Sequence, residues 1–294
     1  MPTLELTKKR QRWVQQFKPT AVVRGLPMHY PAAVGQYYVS AMLALLDDVQ
    51  DEFQRKIIRL FKSPLGREHF ATDDSIESQT RILINKLTKE LDKFSDKQAK
   101  KIAKRFTRNL DSTNASMMYK SFEELSGGTR LKTSTITESI REQLKNAINV
   151  NSGLIKSIIT SSIGQMSDAV YRSIMTGRGL ADLTPFFEKH NEISKRHARN
   201  VALDQTRKAY TALTRTRMTS AGLGKFEWRH SGGGQEPRKY HKDNWPLGLN
   251  RGIFDINDPP VIDKKTGEKG LPGQAINCKC IMVPVLDFSD GVES

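Results

Sequence analysis

The chain has 294 residues, with 47 Lys and Arg against 32 Asp and Glu, a formal charge of +15 and 37% hydrophobic residues. Its length suits two domains. Its charge points to a polyanionic partner: nucleic acid first, an anionic membrane surface second, or an acidic protein surface inside an assembly. Two cysteines one residue apart exclude a disulfide framework and suit a reducing compartment. No window approaches the roughly 20 apolar residues of a membrane span, and the charged N-terminal stretch lacks the apolar core of a secretory signal. A soluble, cytoplasmically made chain is the expectation, with no membrane partner.

Residues 1–30 read as a basic arm, with Lys8, Lys9, Arg10, Arg12, Lys18 and Arg24 against Glu5. Such an arm lies along phosphates or in a partner's groove, or stays a solvated tail. From Val34 the apolar residues Tyr38, Met42, Leu45, Val49, Phe53, Ile57 and Leu60 recur at steps of three and four. That period predicts a long helix, ended by Ser63-Pro64-Leu65-Gly66. A second helix starts near Asp74, with Leu83, Leu87, Leu91 and Phe94 on its stripe. Ser95 with Gln98 three residues on resembles the cap of a third. That third helix carries Lys97, Lys100, Lys101, Lys104, Arg105 and Arg108, the densest basic run in the chain, either facing phosphates or simply solvated.

Ser126-Gly127-Gly128 marks a break. Helical spacing resumes at Ile140, Leu144 and Ile148, is interrupted near residues 149–153, and continues through Leu154, Ile158, Ile163, Met166, Val170 and Ile174. Leu180 to His190 reads as a short helix or turn. Another helix is expected from about Ser194 to Ser220, carrying Arg199, Arg207, Lys208, Arg215 and Arg217 as contacts to phosphates or an acidic partner, with Ala198, Ala202 and Ala209 facing inward. Near residue 222 the texture changes. Glycine and proline become frequent, and residues 226–230, 252–255 and 280–283 read as short strands. The expected architecture is mainly α: an elongated helical domain over 31–221, then a small α+β unit with short strands over 222–294.

The last quarter holds the residues with chemistry. Cys278, Cys280, His241 and His230 are the residue types of a tetrahedral structural zinc site, and a small unit poor in apolar residues gains much from one. The Cys-x-Cys spacing is tighter than usual. Buried thiols beside a histidine bonded to a backbone carbonyl are an alternative, and a Cys–His nucleophile pair is another, though no orienting carboxylate or oxyanion motif accompanies it. Ser231-Gly232-Gly233-Gly234 lacks the ending of a phosphate loop and reads as a turn.

The ordered series from Trp228 through His230-Ser231-Gly232 and Arg238-x-x-His241, then Asn250-x-Gly252-Ile253-Phe254-Asp255, then Ile276-Asn277-Cys278-Lys279-Cys280, resembles the phage Mu protein F-like family. These are minor head, or head-morphogenesis, proteins of tailed phages. Trp228, Arg238, His241, Asn277, Cys278 and Cys280 occupy the family's motif positions. Lys279 replaces the usual Arg, and the Gly run with Gln235-Glu236 replaces a frequent Asp. The resemblance implies a non-enzymatic virion protein in the head, near the portal or in the capsid interior, assembled in a bacterial cytoplasm. It implies the portal protein, a major capsid or scaffolding protein and double-stranded DNA, bound without sequence preference, as partners, and a role in packaging or ejection of the genome. An enzyme acting on nucleic acid or protein, centred on His241 and the Cys278/Cys280 pair, is the alternative.

Overall fold

The computed structural model describes residues 22–63, 74–127, 137–233 and 237–287. Lys8, Lys9, Arg10 and Arg12 of the basic arm lie outside these residues, as do Gln235 and Glu236. The chain is mainly helical, with five helices among the described residues: α1 (Ala32–Phe61), α2 (Asp74–Leu125), α3 (Glu138–Met175), α4 (Leu180–Ser220) and the single turn α5 (Lys239–Lys242). The strands are β1 (Val22–Arg24), β2 (Lys225–Arg229), β3 (Ile253–Asp255), β4 (Val261–Asp263), β5 (Glu268–Lys269) and β6 (Ile281–Asp287).

The α1 stripe is buried as its period requires: Tyr38, Val49, Phe53 and Ile57 are fully enclosed. Three expected interruptions are absent. Ser95 does not start a helix; it lies inside α2, because the buried positions Ile84, Leu87, Leu91, Ser95, Ala99, Ile102 and Phe106 keep one phase through it. Its hydroxyl donates back to the Asp92 carbonyl at 3.0 Å, a bond a serine can make inside a helix. Phe94 falls off that phase and is exposed.

Residues 149–153 likewise stay helical within α3. Asn151 is buried, donates to the Ala147 carbonyl at 2.8 Å and accepts the Tyr38 hydroxyl at 2.9 Å. A polar side chain that looks like a breaker in sequence is here a fully bonded core residue, and the buried positions beyond it are Ile155 and Ile159 rather than Leu154 and Ile158. Residues 180–220 form one helix with Pro185 inside it. The proline stands one turn in, so only a single intrahelical bond is forgone.

The chain divides into two compact units, whose boundaries fall at the start of α1 and within α2, α3 and α4. One comprises residues 33–107 and 146–205. In it Tyr38 stacks on Phe106 at 4.1 Å between ring centroids. Gln50 donates to the Ser162 hydroxyl at 2.9 Å, and Ser162 meets His190 Nε2 at the same distance.

The other unit comprises residues 1–32, 108–145 and 206–294. Its four-stranded antiparallel sheet has the order β1-β6-β2-β3, and β4 and β5 form a separate hairpin. The three expected strands are present as β2, β3 and β6. The sheet also takes in Val22–Arg24 from the predicted arm, paired with Val285–Asp287. The chain approaches α2 closely there: a Cβ on Gly25 would sit 2.2 Å from Ser121 Oγ. Leu26 N donates to that same oxygen at 3.0 Å. Asn114 links α2 to α4 by donating to Thr214 at 2.7 Å and accepting from Arg217 at 2.7 Å. This frame of helix ends and sheet carries the cysteines.

Candidate metal centre

The loop before β6 places Cys278 and Cys280. It is held at three points. Thr211 of α4 donates to the Pro272 carbonyl at 2.7 Å. Gly273 has φ +86°, and a Cβ there would meet the Tyr30 hydroxyl at 2.2 Å, so the position suits glycine on both counts. Asn277 has φ +58°, a left-handed conformation that asparagine tolerates better than most residues. That conformation immediately precedes Cys278, whose N–H donates to the Ala275 carbonyl at 2.9 Å. The physical role of Asn277 is thus to turn the backbone into the Cys-x-Cys stretch. Arg238, at the start of α5, donates twice to the Ile276 carbonyl, at 3.1 and 3.2 Å, tying that helix to the same loop.

His241 enters from α5. Its Nε2 donates to the Ile262 carbonyl at 2.9 Å, which leaves Nδ1 as the nitrogen facing sulfur: Cys278 Sγ at 3.5 Å and Cys280 Sγ at 4.0 Å. Imidazole, thiol and thiol are all buried, and their ligand atoms lie within 4.8 Å of one another. His230, at the end of β2, reaches Cys280 Sγ with Nδ1 at 3.7 Å and is half-buried. It stands beside the compact trio rather than in it.

The surroundings favour one thiolate. The Cys278 thiol is pushed down, first because Cys280 hydrogen-bonds to it, against the penalty of burial, with His241 and the backbone N–H groups of Cys280 and Gly273 adding to the effect. Cys280 is pushed up, first because it is the proton-holding partner and then by burial. The Trp228 indole N–H is fully buried and has no hydrogen-bond partner, and its nearness favours the ionised form of Cys280. The indole also packs edge-on against His241 at 5.1 Å. Tyr30 donates to the Cys280 carbonyl, and burial, then the charge on Cys278, raises its phenol well above the ordinary value. An imidazole oriented by a carbonyl, two sulfurs and N–H groups aimed at them form a donor set that suits a thiophilic cation.

On β2, one residue from Trp228, the carboxylate of Glu227 is buried and accepts from Arg24 Nε at 2.5 Å and Arg229 Nη2 at 2.7 Å; Arg251 stands off at 3.7 Å. Burial alone would raise the acid, but the hydrogen bonds from Arg24 and Arg229 outweigh it and the net shift is downward. Because the folded state holds this acid below its unfolded value, its contribution is complete above the ordinary glutamate range and disappears as pH falls through the depressed pKa. Urea midpoints should therefore drop on acidification below about pH 4.5, and Glu227→Gln should lessen that drop. An equally steep profile in the variant would assign the acid sensitivity to other carboxylates.

Of the predicted basic contacts, Lys97, Lys100, Lys101, Lys104, Arg105 and Arg108 are exposed along α2. Lys100 pairs with Asp96 at 2.8 Å, and Arg105 lies over the Tyr37 ring at 4.7 Å. Arg199 and Arg215 are exposed on α4, and Arg207 and Lys208 are half-buried. Arg217 is only 6% exposed, its guanidinium committed to Asp111 and Asn114, so it presents no charge to solvent. Sequence reading missed Tyr30, Thr211 and Glu227, which no local pattern marks; Tyr30 acts on a residue 250 positions away.

Comparison with known proteins agrees with the motif order. An uncharacterized protein of Haemophilus influenzae (strain ATCC 51907 / DSM 11121 / KW20 / Rd) is 25% identical over 292 residues, 98% of this chain. The chain spans 59% of that relative's length. No solved structure matches the chain. The segment that contains β2, α5, the start of β6 and the side chains of His230, His241, Cys278 and Cys280, residues 164–283, matches the family described as Phage Mu protein F like protein.

Proposed function

We propose that the chain is a minor head protein of a tailed bacteriophage. It acts at the portal or in the capsid interior during head morphogenesis, and in packaging or ejection of the genome. The family match over residues 164–283 carries this reading. Its partners on this reading are the portal protein and a major capsid or scaffolding protein, and its place is the virion. The role is structural rather than catalytic. His241, Cys278 and Cys280 are buried away from any substrate, and His241 is oriented by a carbonyl rather than a carboxylate.

Contact with double-stranded DNA is part of the proposal. A net charge of +15, with six exposed Lys and Arg side chains between Lys97 and Arg108 and more at Arg199 and Arg215, supports binding through phosphates. Such binding releases counterions, weakens with salt and ignores base sequence. No described helix is long and apolar enough to cross a membrane.

The donor set of the candidate centre fits zinc, which takes thiolate and imidazole ligands in structural sites. Cys278, Cys280 and His241 would hold it, with His230 as the nearest further donor. Bound there, the ion would supply folding energy: it would join the loop before β6 to α5 in a unit whose strands are two to seven residues long.

Quantitative mass spectrometry of gradient-purified virions and of DNA-free proheads tests the head role. The expected result is the chain in both, at a small fraction of the major capsid protein. Its absence from particles while abundant in the lysate would end the structural reading and favour an enzyme or regulator.

A further inference from the structure

The network around Glu227 holds more positive charge than its own carboxylate needs. Three guanidiniums converge on one carboxylate, which leaves two positive charges in excess. Arg24 comes from β1, reaching past β6, and Arg229 from the same face of β2 as Glu227. Arg251 comes from the turn before β3, where its N–H donates to the Trp228 carbonyl at 2.7 Å. Arg229 already grips the carboxylate with two nitrogens, Nη2 at 2.7 Å and Nε at 3.2 Å. Arg24 adds a third bond through Nε. The acid is then satisfied.

Arg251 is surplus to that task. It reaches Glu227 only at 3.7 Å, beyond hydrogen-bonding distance, and its side chain is 61% exposed. Its backbone adopts φ +67°, a left-handed conformation that glycine or asparagine would take at less cost. An arginine held in that conformation, with its charge beside a carboxylate that two guanidiniums already over-compensate, is an outlier that the internal ion pairs do not explain. Arg24, 46% exposed, commits only Nε to Glu227.

We propose that Arg24, Arg229 and Arg251, ordered by the buried Glu227, form a binding site for a backbone phosphate of DNA. The inference rests on the DNA-contact part of the reading above. A guanidinium presents a planar fork of donors that matches phosphate oxygens, and here Glu227 fixes Arg24 and Arg229 before any ligand arrives. Less side-chain freedom is lost on binding than for a flexible surface lysine. The chain's charge of +15 selects a polyanion over an isolated acidic side chain as occupant.

Arg251→Ala is the informative change, because Arg251 contributes no hydrogen bond to the Glu227 network and the variant should melt as the parent does. Fluorescence anisotropy of a labelled DNA duplex, titrated with the full chain at several salt concentrations, gives the slope of log affinity against log salt. The parent slope should fall in magnitude by about one in Arg251→Ala, and Arg251→Lys should retain most of it. An unchanged slope in Arg251→Ala, with the parent still binding, removes this site and leaves the wider DNA reading intact. A parent that fails to bind duplex at low salt removes both. A Glu-rich peptide that binds the parent and is lost in Arg251→Ala, with the DNA slope unchanged, would assign the site to an acidic protein surface and overturn the DNA assignment.

Discussion

Metal analysis of the purified chain should return about one zinc per molecule, and Cys278→Ser should abolish it. The expected energetic effect is the largest available in this protein. Apparent binding free energies of structural zinc sites are on the order of 10 kcal/mol, and the ion would bear on the loop that leads into β6, the interior strand paired with both β1 and β2. Chelation should therefore lower the melting temperature and open residues 271–287 to proteolysis before the rest of the chain. The competing account, two buried thiols beside a carbonyl-bonded histidine, predicts a different size of effect. Exchange of one buried thiol for a hydroxyl would then cost about 1–3 kcal/mol, and chelators would do nothing. Parent protein that carries no metal and melts identically with and without chelator would establish the thiol account. His230→Ala adds resolution. If His230 completes the ligand set, affinity for zinc falls sharply; if the trio suffices, it changes little.

Trp228→Ala should destabilise the sheet-containing unit by about 3–5 kcal/mol, the usual range for removal of a large buried aromatic. The indole is fully buried and lies edge-on to His241. It sits on β2, which is paired on one side with β6 and on the other with β3. Its removal leaves a cavity directly behind the imidazole and takes the N–H that bears on Cys280. Trp228→Phe separates these contributions. It keeps most of the packing and loses only the donor, so stability should fall much less while the protein's affinity for zinc still weakens. Chemical denaturation of both variants, each with and without added zinc, is the measurement. A loss below about 1 kcal/mol in Trp228→Ala would mean that the strand repacks and that Trp228 does not hold the centre.

The helices were legible wherever burial follows an unbroken period. The α1 stripe from Tyr38 to Ile57 needed only its spacing. Helix continuity through Ser95, through residues 149–153 and from His190 to Ser194 was not legible, because tertiary packing and bonds such as His190 to Ser162 and Gln54 to Asn191 override the local signals there. The Asn151 amide bonds Tyr38 and Ala147, and the buried frame of α2 carries Ser95 inward. The candidate centre was legible as residue types and motif order: Cys278, Cys280 and His241 do meet. Their relative closeness was not: His230 reaches Cys280 Sγ at 3.7 Å but stands outside the compact trio.

Sequence alone determined the helical character, the three strands β2, β3 and β6, the excess of basic charge and the identities of the thiol and imidazole donors. Periodicity, composition and motif order are properties of neighbouring residues, so they survive in a linear reading. Only tertiary structure decided that Arg217 turns inward onto Asp111 while Arg251 turns outward. It also decided that Val22–Arg24 joins the sheet as an edge strand, and that Tyr30, Thr211 and Trp228 support the cysteines. Each of these depends on partners about 25 to 260 positions apart. A charged or polar side chain reads the same in sequence whether it meets solvent or a buried carboxylate, and the difference is set by desolvation and pairing once the chain has closed on itself.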